Sequence, residues 1–398
     1  MTNFYYRCFD CGKTYARDEV RYLCPQCGEK CKAGEPLRGV LEVVFDYTNI
    51  QLRFNVQDRN PDWQLFSAVE AQYYPQYPVG NTPFFHAGRL AQAWNYSDLW
   101  IKFEGLNPSG SLKDRASFLM VAEATRLNEN KIVAASTGNA ASALAAVAAS
   151  VGKEAIIFVP ESAPIAKLVQ IVQYGAKIMP VQGTYDDACA LSLQYTQQNG
   201  GLNRNTAYHP LTIEGKKTVG LEIFAQNNYK VPDAILVPVG DGVIIRGVYK
   251  AFYDLFAAKI TNKMPRLICV QAESSDAIHN YITRGIYQNA KNPHTIADSI
   301  SVTTPSNAHM AKHAVEATHG FSILVSDQEI LNAQTFLASM TGVFAEPAAA
   351  SVVAGLKTIH QQNLLPQDAQ IVLLITGHGL KDIKAAMQNI KLPASMRK

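Results

Sequence analysis

The segment Leu99-Trp-Ile-Lys-Phe103 is a short apolar run, and the polar turn Gly105-Leu-Asn-Pro-Ser-Gly-Ser111 follows it closely. Lys113 stands where a helix is predicted to begin, and this helix is predicted to end near Leu127. A strand that leads through a turn rich in glycine, proline and serine into a helix is the repeating unit of parallel α/β sheets. The segment therefore predicts an α/β protein.

The same alternation continues along the chain. Further apolar strands are predicted at 131–135, 155–159, 178–181, 234–239, 267–271 and 371–375, and further helices from about 139, at 165–174 and at 185–198. Continuous apolar strands between helices indicate parallel sheets that are covered on both faces. Such sheets bind ligands beyond the carboxyl ends of their strands, so the strand-to-helix turns are where we look for chemistry. The segment 41–77 is interrupted by Asn, Asp, Pro and Tyr and is predicted to wrap irregularly over a larger domain.

The composition sets limits on size and partners. A chain of 398 residues predicts two or three domains, and 47% apolar and 17% charged residues are typical of a globular protein. The net charge of +3 gives no reason to expect nucleic acid or a membrane as a partner. Residues 1–10 lack the apolar stretch of a signal peptide, and the longest apolar stretch, 140–151, is too short to span a bilayer. We therefore predict a cytoplasmic location.

Five of the seven cysteines lie in the first 31 residues. The pairs Cys8-x2-Cys11 and Cys24-x2-Cys27 are separated by twelve residues, and two such pairs can converge on one tetrahedral ion. Clustering of this kind in a chain of cytosolic character indicates metal ligation rather than disulfides, so zinc is the predicted metal. Cys31 could replace one ligand. The alternative is a metal-free remnant.

Lys113 is the first candidate for catalysis. A lysine at the start of a helix lies near a partial positive charge and is partly buried, and both conditions disfavour its ammonium form. Such a lysine is suited to be an amine nucleophile that forms an imine with an aldehyde. The alternative is an exposed lysine that pairs with Asp114.

Three further turns carry polar groups at the ends of apolar strands. Ser136-Thr-Gly-Asn139 offers hydroxyls and free N–H groups at a helix start, a site for a carboxylate or phosphate, although Asn139 could instead be a plain helix cap. The glycines of Gly240-Asp-Gly242 allow backbone amides to close around a phosphate. Thr376-Gly-His-Gly-Leu-Lys-Asp382 ends the last apolar strand.

Taken in order, these motifs resemble those of fold-type II pyridoxal phosphate enzymes, and of threonine synthases among them. The segment 105–115 looks like the lysine motif that holds the cofactor, and 136–139 is similar to the loop that grips the substrate carboxylate and the cofactor's 3-hydroxyl. The closing segment 376–382 resembles threonine synthases in particular. Ile213-Glu-Gly-Lys-Lys-Thr218 resembles their Glu-Gly-Gln-Lys-Thr stretch, with Lys216 in place of the glutamine.

The resemblance implies a role for each candidate residue. Lys113 would hold pyridoxal phosphate as an aldimine and would move the α and β protons of the substrate. The other implied cofactor contacts are Asn139 at the 3-oxygen, Gly240, Asp241, Gly242 and Val243 at the phosphate, and Thr376 at the pyridine nitrogen. The residues implied around the substrate carboxylate are Ser136, Thr137 and Ala140. Glu346-Pro347 looks like the Glu-Pro helix start near the active site of this family, and a helix start stabilised by its dipole is the alternative.

The implied reaction is that of threonine synthase, a carbon–oxygen lyase that converts O-phosphohomoserine and water to threonine and phosphate. The alternative is a threonine or serine dehydratase, or a cysteate synthase-like enzyme of the same fold. The loop 240–247 is closer to that of the dehydratases, and Thr212 stands where threonine synthases usually carry an arginine for the substrate phosphate. Another cation, Arg204, Lys216 or Lys167, would then have to serve.

The resemblance also implies an architecture of two parallel-sheet domains of the tryptophan synthase β-like class, with an N-terminal zinc-ribbon-like extension. The predicted segments are 1–34 for the ribbon, 35–114 and 213–398 for the larger domain, and 115–212 for the smaller one. The family further implies a homodimer. A reading from a different class is a zinc-ribbon binding protein whose α/β part has lost catalysis.

Overall fold

A computed structural model describes residues 4–388 of the chain. The strands are, in chain order, β1 (Phe4–Cys8), β2 (Thr14–Tyr15), β3 (Leu41–Phe45), β4 (Phe84–His86), β5 (Asp98–Phe103), β6 (Lys131–Ala135), β7 (Glu154–Pro160), β8 (Lys177–Val181), β9 (Leu202–Asn203), β10 (Ala234–Pro238), β11 (Arg266–Ala272), β12 (Phe321–Val325) and β13 (Gln370–Ile375). The helices are α1 (Pro25–Gly28), α2 (Tyr47–Arg53), α3 (Gly88–Ala93), α4 (Lys113–Arg126), α5 (Asn139–Ser150), α6 (Ile165–Gln173), α7 (Tyr185–Asn199), α8 (Leu211–Gln226), α9 (Val243–Ala257), α10 (Ala277–Arg284), α11 (Ala308–Ala317), α12 (Asp327–Thr341), α13 (Pro347–Gln361) and α14 (Ile383–Met387).

The larger sheet has six strands in the order β12-β11-β10-β13-β5-β4. All neighbours are parallel except β4, which pairs antiparallel with β5 at one edge. Along β13, Ile371 and Leu373 pack into one apolar cluster, whereas Val372 and Leu374 pack into another. Because successive side chains of a strand point to opposite faces, both faces of this sheet are buried, as its continuous apolar strands predicted.

The smaller sheet has four parallel strands in the order β8-β7-β6-β9. The strands β6 and β9 are neighbours, so the turn after Ala135 and the segment after Asn203 leave the same edge of the sheet. The side-chain oxygen of Asn205 accepts a hydrogen bond of 2.8 Å from the backbone N–H of Ala135, which ties these two segments together.

The N-terminal strands form an antiparallel sheet in the order β2-β1-β3. The expectation of an irregular segment from residue 41 is wrong at its start, because β3 pairs along its whole length with β1 and α2 follows it. Leu41, Val43 and Phe45 are buried on one face of β3, and Val44 is buried on the other face, so both faces are covered near the end of the strand. An ion pair between Glu42 and Arg246 joins this strand to α9.

The predicted strands and helices of the α/β part are confirmed to within one or two residues. In particular, α4 begins at Lys113 and α5 at Asn139, as predicted. The turns that follow β5, β6, β10 and β13 are the four that carry the candidate site residues. Within residues 4–388, no helix combines the length and the apolarity that crossing a bilayer requires.

Candidate active site

Hydrogen bonds fix the loop before Lys113 at Ser109 and at Leu112. The Asp114 carboxylate accepts bonds from the backbone N–H of Ser109, at 2.7 Å, and from its hydroxyl. The N–H of Leu112 donates to the carbonyl oxygen of Thr376 at 2.9 Å, so the lysine loop and the segment after β13 are directly joined. Because Asp114 bonds to Ser109 within its own loop, the alternative in which Lys113 is merely the partner of Asp114 is not what the structure shows.

Lys113 is half-buried at the first position of α4. Removal of water lowers the pKa of its amine, the carboxylates of Glu346 and Asp241 oppose that shift, and the positive charge of Arg204 adds to it. The net direction is downward, which favours the neutral amine that a nucleophile or proton acceptor needs.

The turn after β6 places Asn139 against a buried carboxylate. The side-chain amide of Asn139 donates to Glu346 Oε2 at 2.8 Å and to Ser299 Oγ at 3.2 Å. The cap residue of α5 is Gly138, so Asn139 is not the plain helix cap that the sequence left open. Ser136, Thr137 and Ala140 are half-buried around it. Within residues 4–388, the backbone N–H groups of Thr137, Asn139 and Ala140 donate to no other residue.

Glu346 is the residue whose importance the sequence did not resolve. It is 2% exposed, and its Oε1 has no hydrogen-bond partner in the described part of the chain. Its side chain makes no bond to the start of α13, so it is not a simple capping residue. Burial raises the pKa of this carboxyl, whereas the charge of Lys113 and the hydrogen bond from Asn139 lower it. A buried polar atom without a partner beside a lysine of lowered pKa is typical of a ligand site.

The loop after β10 is shaped by its two glycines. Gly242 has a φ of +86°, and a Cβ atom there would lie 2.7 Å from the Cβ of Ala311. A Cβ atom at Gly240 would lie 2.9 Å from the Cα of Ile300. Both positions therefore exclude a side chain, and Val243 begins α9 directly after them.

Asp241 lies half-buried between these glycines. Its carboxylate accepts a hydrogen bond of 3.4 Å from the N–H of Ser306. Burial raises the pKa of this carboxyl, and the charges of Lys216 and Lys113 lower it. The charges of Asp241 and Lys113 thus act on each other, which indicates that the loop after β10 lies near the lysine.

Thr376 is 2% exposed at the end of β13. Further along the same segment, Lys381 donates from Nζ to Ser109 O at 3.1 Å, to Ser142 Oγ at 3.0 Å and to Gln170 Oε1. The closing motif is therefore bonded to the lysine loop, to α5 and to α6. Sequence reasoning gave Lys381 no role of its own, and no local pattern marks it.

The three cations considered for a substrate phosphate lie in different surroundings. Lys167 forms a surface ion pair of 2.8 Å with Asp298. Arg204 and Lys216 are 1% and 2% exposed, and the charges of both act on the site of Lys113. Thr212 is fully buried, and its hydroxyl donates to His209 O at 2.8 Å, so it is satisfied within its own turn.

The N-terminal cysteines form a separate cluster. The sulfur atoms of Cys8, Cys11, Cys24 and Cys27 lie within 4.8 Å of one another. Cys31 lies apart, where its sulfur accepts a hydrogen bond of 3.2 Å from the N–H of Arg38. The structure thus brings together the four thiols that the spacing singled out and leaves the fifth outside.

Comparison with known proteins agrees with this geometry. A model of the family described as pyridoxal-phosphate dependent enzyme matches residues 76–377. The chain is 34% identical to the threonine synthase of Methanocaldococcus jannaschii in an alignment of 406 positions that covers 98% of this chain and 97% of that protein. It is also 34% identical to the threonine synthase of Methanosarcina acetivorans over 385 residues, which cover 95% of this chain and 92% of that protein.

Solved structures share the fold. Threonine deaminase isoform 2 from Solanum lycopersicum, in its processed form, superposes with a TM-score of 0.68 at 23% identity over 80% of this chain and 92% of that one. Maize serine racemase superposes with a TM-score of 0.67 at 24% identity over 78% of this chain and 91% of that one. The α/β prediction of the fold-type II class is thus confirmed. The matched family model and the full-length relatives together show that the chain belongs to the family of pyridoxal-phosphate dependent enzymes.

Proposed function

We propose that this chain is a threonine synthase, a lyase that converts O-phosphohomoserine and water to threonine and inorganic phosphate. The similarity to a threonine synthase over 98% of the chain carries the proposal. The solved deaminase and racemase structures match a smaller share, 80% and 78% of the chain, and support the fold alone.

Pyridoxal phosphate fits the residues of the site. The backbone N–H groups of Gly240, Asp241 and Gly242 donate to no other residue within 4–388, and they precede the positive end of α9. Free amides at a helix start are suited to a phosphate. The lysine of lowered pKa and the unpartnered oxygen of Glu346 are further polar groups of this site that a ligand can contact.

Each site residue then has an expected contact. Pyridoxal phosphate held at this site would supply an electron-withdrawing ring that stabilises negative charge on the carbon atoms of the substrate amino acid. The expected cofactor contacts are the 3-oxygen with Asn139, the phosphate with Gly240, Asp241, Gly242 and Val243, and the pyridine nitrogen with Thr376. The substrate carboxylate is expected at the free amides and hydroxyls of Ser136, Thr137 and Ala140.

Lys113 is expected to move protons during the reaction. Because its surroundings lower the pKa of its amine, Nζ can take a proton from the α carbon and return one to the substrate. In the net reaction the C–O bond at the γ carbon breaks and its electron pair leaves with phosphate. The β carbon loses a proton and bonds to the hydroxyl that water supplies. The γ carbon gains a proton, and the second proton of water leaves with phosphate.

The test measures threonine and phosphate formed from O-phosphohomoserine by the wild type and by Lys113→Ala. We expect equal amounts of the two products from the wild type and a loss of roughly 10³-fold or more in the variant, because a nucleophile and proton carrier is removed. A wild type that binds the cofactor but makes no threonine would contradict the proposal. Deamination of serine or threonine would then favour a dehydratase, and turnover of phosphoserine a cysteate synthase-like enzyme.

For the N-terminal segment, we propose a zinc-ribbon-like unit with one structural zinc ion held by Cys8, Cys11, Cys24 and Cys27. Four thiolates within a few ångströms suit tetrahedral zinc. The chain offers a matched control, because Cys31 lies outside the cluster. We expect one zinc per chain in the wild type and in Cys31→Ser, and a loss of zinc and of thermal stability in Cys24→Ser. Elemental analysis that finds no metal in the wild type would contradict this assignment.

The remaining expectations concern assembly and location. We propose a homodimer, a cytoplasmic location, and a division into segments 1–34, 35–114, 115–212 and 213–398. Light scattering on the purified protein tests the dimer, and limited proteolysis tests the boundaries. Cleavage near residue 34, which is exposed, is expected, and its absence would contradict the first boundary. Asp114 and Thr212 are buried within helices, so no cleavage is expected at those two boundaries.

A further inference from the structure

Two cations beside Lys113 are buried without an ionic partner. Lys216 on α8 is 2% exposed, and Arg204, which follows β9, is 1% exposed. Among residues 4–388, no residue forms a hydrogen bond or an ion pair with the side chain of Lys216. Arg204 donates from Nε and Nη2 to a single acceptor, Ser117 Oγ, at 3.3 Å in both cases, and it too has no ion pair in this range.

The packing of two helices brings these cations to the lysine. Gly215 lies so close to α4 that a Cβ atom there would be 2.5 Å from the carbonyl oxygen of Arg115. Its neighbour Lys216 is therefore held near the start of α4. Ser117, the acceptor for Arg204, is four residues after Lys113 and thus on the same face of α4.

Carboxylates act on Arg204 and Lys216 only from beyond ion-pair distance within residues 4–388. The positive charges of Arg204 and Lys113 act on Lys216, and only one carboxylate, Asp241, is prominent against them. The neighbours that act most on Arg204 are Tyr185 and Asp114. Buried cations are costly unless an anion pairs with them, so two of them at one ligand site indicate that an anion is the missing partner.

The position of Arg204 indicates which anion this is. Arg204 follows β9, and the turn expected to hold the substrate carboxylate follows β6, the parallel neighbour of β9. Asn205 is bonded to Ala135 at the start of that turn. The free amides expected to hold the cofactor phosphate belong to a different sheet, in the loop after β10. Arg204 therefore lies on the substrate side of Lys113, whereas Lys216 is also close enough to the loop after β10 for Asp241 to act on it.

We propose that Arg204 and Lys216 form the subsite for the phosphate group of the substrate. This inference rests on the proposed function, since it presupposes a phosphorylated amino acid. The two cations replace what Thr212 cannot supply, because Thr212 is uncharged and bonded within its own turn. Lys167 is excluded from the pair by its surface partner Asp298. A dianionic phosphate here would keep both side chains charged and would stabilise the leaving group as the C–O bond breaks.

The test compares Lys216→Gln, Arg204→Gln and Arg204→Lys with the wild type, all loaded with pyridoxal phosphate. Lys167→Gln serves as the matched control, since it removes a lysine that pairs at the surface. Inorganic phosphate is titrated into each protein by calorimetry, and L-threonine, which carries no phosphate, is titrated by the change in cofactor absorbance. Cofactor content and melting temperature are recorded for every variant.

We expect the dissociation constant of phosphate and the KM for O-phosphohomoserine to rise about 10- to 100-fold in the two glutamine variants, the range for a lost charged hydrogen bond. For Arg204→Lys, both constants should lie between those of the glutamine variants and those of the wild type. This conservative variant keeps the proposal testable if Arg204→Gln does not fold. Binding of L-threonine, cofactor content and the control should not change.

Two results would overturn the subsite. One is an unchanged phosphate affinity in all variants. The other is a selective loss of cofactor, which would assign the pair to the cofactor phosphate. The proposed function is tested separately. If the wild type makes no threonine but the glutamine variants bind phosphate more weakly than the wild type, the subsite stands and the reaction is a different one. If threonine is made and KM is unchanged in the variants, the reaction stands and the subsite fails.

Discussion

The side-chain amide of Asn139 donates a 2.8 Å hydrogen bond to Glu346, although 207 residues separate the two in the chain. This bond links the turn after β6 of the smaller sheet to the start of α13 beside the larger one. The second carboxylate oxygen of Glu346, Oε1, has no hydrogen-bond partner in the described part of the chain. Among the charges that shift the pKa of Glu346, that of Lys113 has the largest effect. Glu346 is therefore a buried charge that both positions Asn139 and acts on Lys113.

The substitution Glu346→Gln should lower the pKa of the Lys113 nitrogen. Glu346 is the largest electrostatic contribution that raises the pKa of Lys113, and a neutral amide of the same shape removes it. Titration of the cofactor's visible absorbance against pH measures this pKa. We also expect kcat to fall about tenfold or more, because the changed pKa makes Lys113 less effective at proton transfer.

The control for Glu346→Gln is Glu161→Gln, which removes an exposed carboxylate that follows β7. We expect its titration curve to coincide with that of the wild type. A midpoint for Glu346→Gln that is unchanged or higher would show that this carboxylate does not act on the lysine as the structure indicates.

The substitution Lys381→Met should destabilise the protein by about 1–3 kcal/mol, the usual cost of a buried polar group left without its partner. Lys381 bonds at once to Ser109, Ser142 and Gln170, so methionine keeps its bulk and removes its three bonds. Denaturant unfolding measures the change in free energy. Lys384→Met, at an exposed position of α14, is the control and should lie within about 0.5 kcal/mol of the wild type.

Local patterns made much of this fold predictable. The starts of α4 and α5 follow from turn residues placed before apolar, helix-favouring stretches, and these signals lie within a few residues of Lys113 and Asn139. That the turns after β5, β10 and β13 would lie together also followed, since the carboxyl ends of parallel strands lie at one edge of a sheet. The turn after β6 belongs to the other sheet, and only the family resemblance implied that it joins them.

Contacts between segments that are distant in the chain could not be predicted from the sequence. The strand β3 forms because β1 supplies its partner, and no pattern within 41–45 identifies that partner. The roles of Glu346 and Lys216 depend on which helices pack together, because burial rather than residue type makes them unusual. A lysine on a helix is ordinarily exposed, and the close contacts at Gly215 with α4 and at Gly247 with Lys216 itself bury this one.

The substitution Gly215→Ala tests that contact directly. The added Cβ would lie 2.5 Å from Arg115 O and 2.6 Å from the Cα of Ala116, so α4 and α8 must separate. We expect a loss of about 1–3 kcal/mol in the free energy of unfolding, as overpacking typically costs, together with reduced kcat because α4 carries Lys113. Gly88→Ala in α3 is the control: its nearest neighbour would be 3.6 Å away, so its stability should change by less than about 1 kcal/mol.

The pH dependence of stability should carry a contribution from His209. This side chain is 1% exposed, and its Nδ1 accepts a hydrogen bond of 3.2 Å from the N–H of Leu211, which requires an unprotonated nitrogen. Burial, aided by the charge of Arg21, lowers the pKa of His209 from 6.5 to about 3. Between about pH 6.5 and 3, His209 is therefore protonated in the unfolded chain but neutral in the folded protein. Its contribution to the free energy of unfolding is lost as the pH falls through this range.

The variant His209→Asn keeps an acceptor for Leu211 but does not titrate. Between pH 7.5 and pH 5 the wild type should lose about 2 kcal/mol more stability than this variant, because one additional proton enters its unfolded state. Chemical denaturation of both proteins at the two pH values measures the difference. His86→Asn, at an exposed position of β4, should follow the wild type. If the curves of the wild type and His209→Asn run parallel, His209 is protonated in the folded protein, and its bond to Leu211 is not the one that the structure describes.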